Sequence, residues 1–192
     1  MLGEWLMATY SQIEIDIIDS FKKLMSDHEF SNISISEIAS GANITRRGFY
    51  NHFKDKYDLV NTIFDNDVFP KVIKLTDVDN WYKGSIYICN YLKENHEYYK
   101  KLVGYNGQNC LQKEFHHLTE MQLSKLIPEI LDGRQISNED RSFLIEYYYN
   151  AYMGIMTEWV LQKSDFTSEE IVMRWKILLE NSLHNYLNSF AK

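Results

Sequence analysis

The chain has 192 residues, 45% hydrophobic and 24% charged, with eight glycines, two prolines and two cysteines. That is enough apolar material for a core without disulfide staples, and so little Gly, Pro and β-branched alternation favours long helices over strands. The formal net charge of −7 argues mildly against nucleic-acid binding, because duplex DNA repels an acidic chain, and no apolar run approaches the roughly 18 residues of a membrane span.

Cys89 and Cys110 form no CxxC and read as buried, reduced thiols in a cytoplasmic protein. Residues 1–8 carry Glu4 and lack a basic n-region, so they do not read as a secretory signal. Residues 1–10 read as a loose extension.

The first helix is predicted from Ser11 to His28. Ser11 and Glu14 make an S-x-x-E capping box, and Ile13, Ile17, Phe21 and Leu24 recur at helical spacing. A second box, Ser34 with Glu37, opens a short helix to Ser40 or Gly41, with Ile35, Ile38, Ala39 and Ala42 facing inward. Asn43 suits the left-handed backbone of a helix end. Thr45 is a good N-cap for a helix from Arg46 to Phe53. Two short helices joined by a tight turn form a helix-turn-helix.

A fourth helix is predicted over 56–75, with Leu59, Ile63 and Phe64 inward and a possible kink at Pro70. The polar stretch 76–80 reads as a boundary. Further helices are predicted at about 81–95, 97–108, 112–127, 138–163 and 168–190. Thr167 with Glu170 forms a third capping box.

A major-groove reader needs donors crowded on the first turn of a supported helix. Residues 43–56 concentrate Arg46, Arg47, Lys54 and Lys56 against Asp55 alone, and the two arginines are two of five in the chain. Arg46 and Arg47 can reach guanine or phosphate. Gly48 costs about 1 kcal/mol inside a helix, which suggests close approach of another molecule. Tyr50 and His52 can reach flanking phosphates, and Phe49 can touch a thymine methyl or pack inward. Lys56, with the helix amides beside it, can hold another phosphate. Ser34 can touch a phosphate besides capping.

Residues 13–60, above all 34–59, resemble the DNA-binding domain of the TetR/AcrR family of transcriptional regulators. Tyr50, Phe53, Lys56 and Leu59 sit at the positions of that family's Tyr-x-x-Phe-x-x-Lys-x-x-Leu run, while Asn43 replaces a usual glycine. The resemblance implies an all-helical homodimer of about nine helices per subunit that binds double-stranded operator DNA. It also implies a pocket for an effector and an intersubunit bundle built from the last two helices. On that footing residues 1–55 are the helix-turn-helix domain, and 56–192 the effector-binding and dimerisation domain.

One face of the first bundle helix carries Phe143, Tyr147, Ala151, Gly154, Ile155 and Trp159. The second carries Ile171, Trp175, Leu178, Leu179, Ser182, Tyr186 and Phe190. Residues 147–159 and 168–170 also resemble a subgroup related to the dihydroxyacetone-kinase operon activator, in which the signal can be a partner protein.

Eleven of the fourteen tyrosines lie beyond residue 80. Tyrosine serves a pocket as well as it serves a core or an interface; Tyr82, Ile86, Tyr99, Phe115, Tyr148 and Tyr152 are the pocket candidates. His116 and Glu120 stand one helical turn apart, but without further ligands a surface helix is the better reading than a metal site. No nucleophile with its base, P-loop or dinucleotide fingerprint is present, so neither an enzyme nor a cofactor is expected. The function expected is a homodimeric repressor released from its operator by an effector. The alternatives are an activator that docks a partner protein and a helical interaction protein that no longer binds DNA.

Overall fold

In the computed structural model, residues 10–75, 81–103, 111–162 and 165–191 are described. They form nine α-helices and one 3-10 turn, with no strand among the described residues. The helices are α1 (Gln12–Asp27), α2 (Ile35–Gly41), α3 (Arg46–Tyr50), α4 (Lys56–Leu75), α5 (Trp81–Glu94), α6 (His96–Val103), α7 (Gln112–Leu131), α8 (Asn138–Val160) and α9 (Ser168–Phe190). The all-α expectation holds. The polar stretch 76–80 and Cys110 lie outside the described residues.

Local chemistry sets most helix starts. All three capping boxes form, at Ser11–Glu14, Ser34–Glu37 and Thr167–Glu170. Each satisfies orphan amides from both sides of the first turn. Asn43 has φ 55°, the left-handed state that lets α2 end and α3 begin. Helix α3 is shorter than predicted: after Tyr50 the chain tightens, with Asn51 N bonding Gly48 O, while Phe53 N still reaches Phe49 O.

The chain packs as two units, one of residues 1–70 and 95–111, the other of 71–94 and 112–192. The division falls inside α4, beyond the expected boundary at 55/56, and the first unit takes α6 as well. In that unit α1 packs on α2 and α6, and α2 on α3. Its core holds Ile17, Phe21, Phe30, Ile38, Phe49, Leu59, Ile63 and Phe64. Ile13, expected in the apolar stripe of α1, is 43% exposed. A Cβ on Gly41 would come 2.3 Å from Ser20 Oγ, so glycine is what lets α2 lie close on α1. Ser20 completes that joint by donating to Ile38 O at 2.8 Å.

In the second unit α7 packs on α8 and α9, and α5 on α9. Its core is aromatic: Trp175 meets Tyr148 edge-on at 6.0 Å and Tyr152 at 5.4 Å. Buried Cys89 lies 3.9 Å from Met156 Sδ. Burial pushes its thiol pKa up to about 12, which keeps it protonated and unreactive.

Candidate nucleic-acid interface and ligand cavity

In the first unit, Arg46 and Arg47 are exposed on the first turn of α3. Thr45 caps that turn, its Oγ1 accepting from Gly48 N at 3.0 Å. Phe49 and Phe53 fix the helix from behind, 0% and 3% exposed, with ring centroids 5.7 Å apart. Arg46 donates to the Tyr50 hydroxyl at 3.3 Å, and its guanidinium lies 5.8 Å from that ring's centroid. Tyr50 itself is exposed. A Cβ on Gly48 would meet Ile44 at 3.4 Å and Thr45 at 3.5 Å, which is ordinary contact. Nothing among the described residues therefore demands glycine there. The arrangement presents two guanidinium groups, a phenol and a bare stretch of backbone on one small supported turn.

Other residues expected at the interface turn inward or toward their own chain. Phe49 is wholly buried and cannot meet a thymine methyl. Lys56 donates to the carbonyls of Phe30 (2.7 Å), Ser31 (3.2 Å) and Ile33 (2.9 Å) and sits 4.5 Å from the Phe30 ring centroid. The amides beside it are taken as well: Asp55 Oδ1 accepts from Tyr57 N at 2.8 Å and Asp58 N at 2.9 Å. The expected phosphate site at the start of α4 is thus filled from within, because Lys56 turns its amine onto the carbonyls at the end of the 3-10 turn.

His52 Nδ1 lies 3.5 Å from Glu14 Oε1. The Glu14 carboxyl is held below its ordinary range by the Ser11 amide, then by the Ser11 hydroxyl and His52. Ser34 is exposed but spends its hydroxyl on Glu37 Oε2, at 2.7 Å. Composition gave no sign of Lys101, which donates to the carbonyls of Met25 (2.6 Å), Ser26 (3.3 Å) and His28 (3.1 Å) and so caps the end of α1 from α6.

The second unit holds a cavity of about 40 Å³. Its apolar walls are Val72, Trp81, Ile88, Leu118, Met121, Leu126 and Trp175, and Ser85, Thr119, Gln122, Lys125 and Tyr152 supply its polar groups. Of the six expected pocket residues only Tyr152 lines it. Tyr99 belongs to the core of the first unit, edge-on to Phe64 at 6.2 Å. Tyr148 is buried against α9, its hydroxyl 2.8 Å from Ser182 Oγ. Phe115 is buried beside Tyr152, at 5.7 Å between centroids. Tyr82 and Ile86 are half-buried on α5 and do not line the cavity. The missed residues had a legible signal: Ser85 and Gln122 are polar intrusions in the apolar stripes Trp81–Ile88–Leu92 and Phe115–Leu118–Leu126.

Helices α8 and α9 keep a second apolar surface in the open. Phe143, Tyr147, Ile155, Leu178 and Phe190 are exposed, as are Met173 and Ile177, which the sequence reading passed over. Tyr186 stacks between Phe143 (6.0 Å) and Phe190 (4.6 Å) and donates to Asp140 Oδ1 at 2.7 Å. Gly154 is exposed, with open space where a Cβ would stand. Ser182 is exposed and Ala151 half-buried. Trp159, Ile171, Trp175 and Leu179 are buried within their own unit. They are corrections to the expected interface, because both helices are apolar on two sides and spacing alone does not say which side is outer.

Comparison with known proteins agrees with this architecture. Residues 17–63 match the family described as bacterial regulatory proteins, tetR family, and residues 79–181 match a transcriptional regulator C-terminal region. The second match spans more than half of the chain. Over 152 residues the chain is 26% identical to the HTH-type dhaKLM operon transcriptional activator DhaS of Lactococcus lactis subsp. lactis (strain IL1403), covering 76% of this chain and 78% of that protein.

Among solved structures, the dihydroxyacetone kinase operon activator DhaS aligns with TM-score 0.58 and 24% identity over 94% of this chain and 99% of that one. NalD of Pseudomonas aeruginosa, the secondary repressor of the MexAB-OprM multidrug efflux pump, aligns with TM-score 0.56 and 16% identity over 88% and 94%. At those identities the two structures speak to the fold alone.

Proposed function

Because this chain belongs to the TetR family of bacterial transcriptional regulators, we propose that it works as a homodimer holding operator DNA through paired α3 helices, and that a ligand in the second unit's cavity changes that hold. The observation that carries the reading is the exposed Arg46–Arg47 pair on a capped, rigidly backed turn. Guanidinium forks suit the O6 and N7 acceptors of guanine in the major groove. Two such turns about 34–36 Å apart meet successive major grooves on one face of a duplex.

Dimerisation is supported by the exposed apolar surface of α8 and α9, larger than scattered single side chains would make it. In the repressor form of this reading, ligand and DNA weaken each other by the same factor, as linkage requires. A second reading, an activator that answers to a partner protein, is favoured by the Lactococcus relative, whose name makes it an activator. A reporter driven by the upstream promoter separates them: deleting the regulator raises expression under repression and lowers it under activation.

The test of DNA binding is fluorescence anisotropy on the DNA upstream of the protein's own reading frame. Each bidentate guanine contact carries about 1–3 kcal/mol of base discrimination, so Arg46→Ala with Arg47→Ala should weaken binding at least about thirtyfold, with helicity and Tm unchanged. Equal binding by the wild type and the double variant would overturn the assignment and leave a helical interaction protein as the reading.

A further inference from the structure

We propose that the second unit's cavity takes a small uncharged ligand bearing a carbonyl-type oxygen on an apolar body, with Gln122 and Tyr152 as its hydrogen-bond donors. This rests on the regulator reading, in which the cavity seats the effector. The Gln122 Nε2 and Tyr152 Oη atoms are both buried without a hydrogen-bond partner, and both side chains line the same space. Ser85 stands near the Tyr152 hydroxyl without closing a hydrogen bond of good geometry. Thr119, the other buried polar wall residue, is satisfied by donating to Phe115 O at 2.9 Å.

Unpaired buried donors oppose folding. Two on one cavity therefore point to a ligand acceptor, and a single carbonyl oxygen has lone pairs for both. Charge narrows the class. Among the described residues no carboxylate lines the cavity, so a cation would find no counter-charge from them. Among the described lining residues the one charged group is Lys125, which is exposed, so an anion placed against the two buried donors would lie in apolar surroundings beside neutral groups.

Trp81 and Trp175 with Ile88 and Leu118 leave the rest of the ligand an apolar wall. Size narrows it further: about 40 Å³ holds roughly three waters. The occupant is a molecule of a few heavy atoms or the carbonyl end of a longer one. Because both donors need an acceptor, a ligand that cannot hydrogen-bond to them gains little by entering.

The test is a titration of the full-length protein with 2-butanone, butyrate and butylamine, reading the indole NH resonances of Trp81 and Trp175 by NMR. Saturable shifts of both indoles with 2-butanone, at least tenfold tighter than with either charged probe, are expected. Tighter binding of butyrate or butylamine would overturn the class on the wild-type protein alone.

Tyr152→Phe and Gln122→Leu should each raise the Tm of the ligand-free protein and weaken 2-butanone about five- to tenfold. A lower Tm with unchanged affinity would make both groups structural and sink the proposal. Anisotropy on operator DNA separates the two levels. If 2-butanone binds and DNA affinity does not move, the effector role fails while the ligand class stands. If DNA is bound and another molecule releases it while the indoles ignore 2-butanone, the class fails and the regulator stands.

Discussion

Both units spend polar side chains on helix ends, but they differ in what is left over. In the first, lysines, serines and carboxylates are spent on helix ends: Lys56 and Lys101 each take three carbonyls, and Ser11, Ser34, Thr45 and Asp55 take amides. In the second, Gln122 and Tyr152 keep buried polar atoms unpartnered around a cavity, and aromatic rings stand exposed on α8 and α9. A satisfied polar frame is rigid, which suits a turn that must present two arginines in a fixed geometry. A unit with unmet donors and uncovered apolar surface is built to receive. On the proposed reading, the end that meets DNA takes its precision from hydrogen bonds that never touch DNA.

The largest effect should come from uncovering the comparison's apolar side. Phe143→Asp with Leu178→Asp, both on exposed faces, should turn the proposed dimer into a monomer in sedimentation and weaken operator binding at least about a hundredfold, since one recognition helix must then hold DNA alone. An unchanged sedimentation coefficient would place the interface elsewhere.

Next comes Lys56→Met, which removes an amine from three carbonyls, two of them half-buried. Hydrogen bonds involving a charged group are worth about 1.5–3 kcal/mol, so stability to urea should fall by about 2 kcal/mol while the salt dependence of DNA binding stays the same. A phosphate role would give the reverse: intact stability and a slope shallower by about 0.9.

Gly48→Ala should split the two properties. The new methyl meets only ordinary contacts, so the helix should gain up to about 1 kcal/mol, while operator affinity drops if DNA approaches that backbone.

The smallest effect concerns acid. The Ser11 amide lowers the Glu14 pKa, and the Ser34 hydroxyl lowers that of Glu37. A lowered folded pKa means the stabilisation is fully present above the ordinary glutamate value and lost as pH falls through the lowered one. Glu14→Gln with Glu37→Gln should therefore flatten the acid limb of a stability–pH profile measured by circular dichroism.

Much of the first unit was legible because its signals are local. A capping box, a left-handed asparagine and a cluster of basic residues each act within four or five positions, and the starts of α1, α2 and α3 followed from them. What misled was anything decided across the fold. Lys56 looks like a phosphate ligand until the carbonyls of residues 30, 31 and 33 are brought to it, and Phe49 has two faces to choose from until the core claims it. In the second unit the tyrosines were ambiguous for the same reason, and Tyr99 proved to belong to a different unit from the cavity.

Sequence by itself determined the helix starts, the turn between α2 and α3 and the pair of arginines, since these depend on backbone chemistry within a single turn. Only tertiary structure decided which side of α8 and α9 is covered, which lysines are consumed at helix ends, and that Gln122 and Tyr152 share one cavity. Burial is a property of what packs against a residue, and a helical repeat fixes the direction of a side chain along its own axis without naming its neighbour.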